Sequence, residues 1–148
     1  MFVPGPLRRT AAWTVIAVIA GLSAGCGDDE PGLGVTPVET TRTISFTNSI
    51  QPGGFLWRSF QLERAGKVAV QYIAILPTAD LVMRVSVGTF DGTNCTPTNT
   101  IDTAPQATGP QITVDVPAGD YCVRVGDIGN VVQISTFSVS IAITTSAS

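Results

Sequence analysis

Between Gln111 and Val125 the chain reads QITVDVPAGDYCVRV. Ile112, Val114 and Val116 alternate with Thr113 and Asp115, a spacing that puts apolar side chains on one face of a strand. Pro117-Ala118-Gly119-Asp120 breaks the alternation with residues suited to a reversal of direction. Alternation resumes with Tyr121, Val123 and Val125 on one face and Cys122 and Arg124 on the other. This stretch predicts a β-hairpin with a cysteine on its second arm, and it constrains the fold more than any other segment.

The same signature recurs along the chain. Arg42–Thr47 places Ile44 and Phe46 on one side. Phe55–Leu62 places Leu56, Phe60 and Leu62 inward, with Arg58 interrupting that face. Lys67–Leu76 begins as alternation through Val68, Val70 and Tyr72 and ends as a continuous apolar run. Such a run predicts a central strand covered on both faces at its far end. Leu81–Thr89 is the cleanest pattern, with Leu81, Met83, Val85 and Val87 set against Val82, Arg84, Ser86 and Gly88. Val131–Thr144 closes the chain with Phe137, Val139, Ile141 and Ile143 facing one way. The stretch from Phe90 to Pro110, rich in Thr, Pro, Asn and Gly, predicts a long loop with one short strand near Thr100–Thr103. No helical stripe of apolar residues follows Cys26. About seven or eight strands with closely spaced turns predict an all-β fold: a single antiparallel, jelly-roll-like β-sandwich over residues 43–148.

The N-terminal segment has a different character. Arg8-Arg9 precede an apolar core, AAWTVIAVIAGL, that is short for a bilayer span. Small residues then lead to Cys26. Through LSAGC at Leu22–Cys26 the chain resembles a bacterial lipoprotein precursor. The resemblance implies a signal helix over 1–25 that is cleaved before Cys26, and lipid on the Cys26 sulfur and amine. Two or three acyl chains anchor stably where one is marginal. Residues 26–42 then read as a flexible tether. Gly27–Thr41 holds three glycines, two prolines and four acids, a composition that buries too little to order itself. Its Asp28-Asp29-Glu30 run reads as solvated tether rather than a metal site.

Several function classes are excluded or weakened. The 148-residue chain carries a formal charge of −3, has no histidine and has one lysine, Lys67. An acidic chain without a basic cluster does not suit nucleic acid. Absence of histidine removes the commonest general base and zinc ligand. Glu63 is the one glutamate in the predicted domain, and the aspartates fall mostly in turns, where local backbone hydrogen bonding favours them. These features predict no enzyme and no cofactor. With Cys26 assigned to lipid, Cys95 and Cys122 are expected to form a disulfide, because export places them in an oxidising compartment.

Three stretches resemble the bacterial pre-peptidase C-terminal family of small β-sandwiches. They are Ser59–Leu62 with Ala65–Val70, which looks like the family's first hairpin; Ala79–Val85, which looks like its aspartate-led middle strand; and Pro117–Val125 with Phe137–Ser140, which looks like its ending. The resemblance covers about residues 43 to 144 and implies a non-catalytic module. It also implies calcium at middle-strand aspartates, of which this chain keeps Asp80 while Val82 stands at the second position. Asp91, in the turn Asp-Gly-Thr-Asn, is the other candidate calcium ligand, although a nine-residue strand would hold the two roughly 30 Å apart. A plain turn around Asp91 is the expected arrangement. Phe55 and Trp57 share the face opposite Phe60 and Leu62 and would stack on sugar rings if exposed. Burial against the second sheet or under the tether is the expected placement, since large aromatics are mostly buried. The sequence therefore predicts a lipid-anchored cell-envelope protein with a structural or accessory role, its domain in the periplasm or at the cell surface. Its expected partners are the membrane and a glycan or envelope protein. The alternative is a carbohydrate- or calcium-binding accessory module.

Overall fold

A computed structural model of the chain describes residues 38–146. The signal segment, Cys26 and most of the tether lie outside the described residues. Eight strands account for the fold: β1 (Glu39–Ile50), β2 (Phe55–Leu62), β3 (Gly66–Leu76), β4 (Met83–Phe90), β5 (Cys95–Thr103), β6 (Ile112–Val116), β7 (Gly119–Gly126) and β8 (Ser135–Ser146). They form two antiparallel four-stranded sheets, ordered β1-β8-β3-β6 and β2-β7-β4-β5. This is the expected β-sandwich, with the strand order of a jelly roll. Among the described residues no helix is long and apolar enough to cross a membrane.

The inward phases read from the sequence build the core. Phe137, Val139, Ile141 and Ile143 from β8 meet Val68, Val70 and Tyr72 from β3, with Met83, Val85, Val87, Val123 and Val125 facing them from the other sheet. All are essentially sealed from solvent, so each contributes on the order of 1.5–3 kcal/mol of burial. Phe46 packs edge-on against Phe137 at 5.2 Å, and Phe60 stacks with Tyr121 at 6.1 Å.

Four expectations are corrected. First, the two predicted hairpins are not hairpins. β6 pairs with β3 in one sheet while β7 pairs with β2 and β4 in the other, and β2 and β3 likewise lie in different sheets. Only β4 and β5 are consecutive strands that pair. Alternation keeps an apolar face inward whether a strand folds back on its predecessor or crosses to the facing sheet, so the period does not distinguish the two. At the β6–β7 corner Tyr121 Oη donates to the Pro117 carbonyl at 3.1 Å and clamps the crossing.

Second, the apolar end of β3 is not covered on both faces. A register shift between Tyr72 and Ala74 moves the inward phase to Ile75, leaving Ile73 and Leu76 exposed. This is a β-bulge, with one extra residue on one strand. On the other edge of β3, beyond the last β3–β6 pair Val70↔Ile112, the Gln111 carboxamide continues the ladder, accepting from Tyr72 N at 2.7 Å and donating to Tyr72 O at 3.1 Å. The Tyr72 hydroxyl is buried and donates to the Leu81 carbonyl, and burial pushes its pKa up.

Third, the predicted long loop contains β5, nine residues paired with β4 from Met83↔Thr103 to Phe90↔Cys95. β5 is an edge strand with almost every side chain exposed, so it carries no apolar alternation to read. Fourth, β1 begins at Glu39, so residues 39–42 belong to a strand and not to the tether. Glu39 lies opposite Ser146, which puts the start of β1 and the end of β8 together at one end of the sandwich. Ile50, the Gln51–Gly54 turn and Asp127 lie at the other.

Candidate functional site

The outer face of the β2-β7-β4-β5 sheet brings together residues from four strands. Register places Trp57, Arg124, Ser86 and Thr100 in one row across it, and Phe55, Gly126, Arg84 and Asp102 in the next. Between them lies a groove of about 360 Å³ lined by Gly54, Phe55, Arg84, Ser86, Arg124 and Asp127, among others. Gly126, buried between Phe55 and Arg84, contributes no side chain to that row.

Phe55 and Trp57 are not buried as expected. Phe55 is 54% exposed and Trp57 37%. β2 is the edge of its sheet, and among the described residues no second layer covers this outer face. The two rings are nevertheless held. The Arg124 guanidinium lies 3.8 Å from the Phe55 ring centre, a cation–π contact. The Trp57 indole packs against Phe90 at 5.1 Å.

Charges around the groove fall into three kinds. Arg84 forms two parallel hydrogen bonds with Asp102, at 2.7 and 2.8 Å. These bonds raise the Arg84 pKa and hold Asp102 below the usual carboxylate range. Asp127 turns into its own loop. Its Oδ1 accepts from the amides of Gly129, Asn130 and Val131, and its Oδ2 from that of Gly53. Partial burial pushes its pKa up, but the four donors outweigh this and leave it below the ordinary carboxylate range. Arg124 has no carboxylate partner among the described residues. Ser86 is buried and accepts a hydrogen bond from the Thr100 hydroxyl at 3.0 Å.

Cys95 and Cys122 are joined, with Cα atoms 5.8 Å apart. Cys95 falls in the stretch expected to be a loop, but it stands at the start of β5. The bridge joins β5 to β7 across the intervening β4, passing the outer face at Gly88, which pairs with both Cys122 and Pro97. A Cβ at Gly88 would lie 2.0 Å from the Thr96 carbonyl oxygen, so only glycine lets β5 lean over far enough.

The two candidate calcium ligands do not meet. Asp80 precedes β4 and Asp91 follows it. Asp91 is occupied by its turn, accepting from the amides of Thr93 and Asn94 and from the Asn94 side chain. Those bonds lower its pKa. Among the described residues no group of three or more metal-ligating side chains converges. Arg84, Arg124, Ser86 and Thr100 were not recognisable as site residues from sequence. The outward phase of Arg84, Ser86 and Arg124 was legible, but that of Thr100 and which strands lie side by side were not.

Two other openings are larger and less structured for binding. One of about 480 Å³ lies where β1 and β2 meet, lined by Thr40, Arg42, Leu62 and Arg64. Arg42 bonds across it to the Gln61 carbonyl. The other, of about 690 Å³, lies near Glu39, Lys67, Asp115 and Pro117. Neither is lined by an aromatic ring.

No protein-family model and no curated protein matches the chain. Among solved structures it is similar to a protein of the disulfide-linked pili of Bacillus endospore appendages, with 10% identity over 76% of this chain and 92% of that one and a TM-score of 0.44. It is also similar to the Yersinia pseudotuberculosis-derived mitogen, with 10% identity over 71% and 86% and a TM-score of 0.42. Similarities of this size bear on neither activity nor ligand.

Proposed function

We propose that the chain is a non-catalytic, lipid-anchored module of the bacterial cell envelope that holds a sugar polymer on the outer face of the β2-β7-β4-β5 sheet. The observation that carries the binding role is the solvent-facing pair Phe55 and Trp57 on one strand beside a polar groove. Flat apolar rings flanked by a few fixed polar groups suit a sugar, whose faces carry C–H groups and whose rim carries hydroxyls. A purely structural sandwich has no need to hold two large aromatics toward solvent. The non-catalytic reading rests on the lack of histidine and on Asp91, Asp102 and Asp127 each being engaged by hydrogen bonds. The lipid anchor rests on LSAGC at Leu22–Cys26.

Retention on a panel of insoluble and immobilised polysaccharides tests the binding role. Trp57→Ala and Phe55→Ala should each lose retention while melting within a few degrees of the parent. If no polysaccharide is retained, the reading fails. Detergent partition of the chain expressed in a bacterium tests the anchor: Cys26→Ser should leave the detergent phase, and a variant that stays there unprocessed would refute it.

A further inference from the structure

We infer that the groove reads a negative charge, so that its ligand is an anionic sugar polymer carrying carboxylate or phosphate groups. This rests on the sugar-binding reading above and adds the chemical class. The observation is an asymmetry between two arginines on neighbouring strands. Arg84↔Gly126 and Ser86↔Arg124 are paired positions, so Arg84 and Arg124 are diagonal neighbours on one face, close enough for long side chains to converge. Arg84 is neutralised by Asp102 through both carboxylate oxygens. Arg124 is not neutralised. It is half-buried, lies over the Phe55 ring and has no carboxylate within salt-bridge distance among the described residues.

The one other charged group lining the groove is Asp127. Its two oxygens take four backbone amides from its own loop and the β1–β2 turn, so it keeps its negative charge but makes no ion pair with Arg124 among the described residues. An acidic chain thus places one guanidinium without an ion-pair partner among the described residues on the aromatic wall of its groove. Its contact with the Phe55 ring holds that guanidinium over the aromatic face, where its N–H donors can meet a ligand. Guanidinium is the side chain whose fork of N–H groups matches a carboxylate or phosphate with two parallel bonds. The sugar ring would lie on Trp57 and on the side of Phe55 that Arg124 does not cover, while its acidic group meets the Arg124 guanidinium.

The test measures affinity of the full chain, purified in detergent, for three probes. These are a polygalacturonate oligosaccharide, the same oligosaccharide after its carboxyl groups are reduced to alcohols, and a sugar-phosphate polymer. At least one anionic probe should bind tenfold or more tighter than the reduced one, and this preference should shrink as salt is raised. Whichever anionic probe binds identifies the source of the charge. Arg124→Gln should abolish the preference while leaving weak binding of the reduced probe, and Arg124→Lys should restore only part of it. Equal affinity for charged and reduced probes would overturn the inference and leave the sugar-binding reading intact. Binding to none of the three, nor to any neutral polysaccharide, would remove both. The comparison between charged and reduced probes needs no variant, so it stands even if Arg124→Gln misfolds.

Discussion

Replacing Gly88 with alanine should damage this fold out of proportion to the one methyl group added. The new Cβ would lie 2.0 Å from the Thr96 carbonyl oxygen, 2.6 Å from its carbon and 2.8 Å from Pro97 Cα. All three are backbone atoms of β5, so no rotamer change relieves the clash. An ordinary C···O contact is about 3.3 Å, and β5 must therefore withdraw by about 1.3 Å. Withdrawal is opposed by the bridge from Cys95 to Cys122, which pulls the start of β5 over β4. Overpacking in a tight site costs about 1–3 kcal/mol, and with the backbone held on both sides we expect about 3 kcal/mol. For a domain of this size that is a fall of about 12 °C in Tm. Urea unfolding followed by circular dichroism measures it. The same substitution in a Cys95→Ala/Cys122→Ala background should cost at least about 1 kcal/mol less, because β5 is then free to lift, and a double-mutant cycle isolates that coupling. A cost below about 0.5 kcal/mol, or an equal cost in both backgrounds, would refute the reasoning.

Removing the bridge alone should lower stability by about 3–4 kcal/mol, the chain-entropy value for a sequence separation of 27; unchanged melting under reductant would contradict this. Asp127→Asn should cost about 1–2 kcal/mol at pH 7 by weakening charge-assisted bonds to four amides. The folded Asp127 pKa is depressed, so its contribution is full above the unfolded carboxylate pKa of about 3.9 and is lost as pH falls through the folded value. The variant's stability should therefore fall less steeply than the parent's below about pH 5, and parallel acid limbs would count against this role. Calcium at 1 mM should leave Tm within about 2 °C, since Asp80 and Asp91 stand at the two ends of β4; a rise above about 5 °C that Asp80→Ala abolishes would overturn it.

Strand identity was legible wherever one face is buried and one is wet. β2 matches the predicted Phe55–Leu62 at both ends, the inward set of β8 matches residue for residue, and so do Met83, Val85 and Val87 of β4, whereas Leu81 lies before β4 begins. The information ran out where that contrast vanishes. β5 is polar on both faces, and its pairing is visible only through β4. The apolar tail of β3 looked like a doubly covered strand because a bulge shifts phase without any residue that marks it. Pairing partners were not legible either, since Pro117–Asp120 turns a chain equally well within a sheet or between sheets. The candidate site suffered most from this. Phe55 and Trp57 were placed on the right face, but Arg124 and Arg84 join them only through strand neighbours far apart in sequence.

The pairing of Glu39 with Ser146 has a practical consequence for orientation. Both ends of the described chain leave from one pole, whereas the groove opens beside Gly53 and Gly54 at the other. β1, twelve residues long, spans roughly 40 Å between them at about 3.3 Å per residue. A surface coupled directly at Glu39 or Ser146 therefore faces the pole away from the groove. A label or bead attached at Glu39 or Ser146 sits at the pole opposite the aromatic face, whereas one at Gly53 or Ile128 sits beside it.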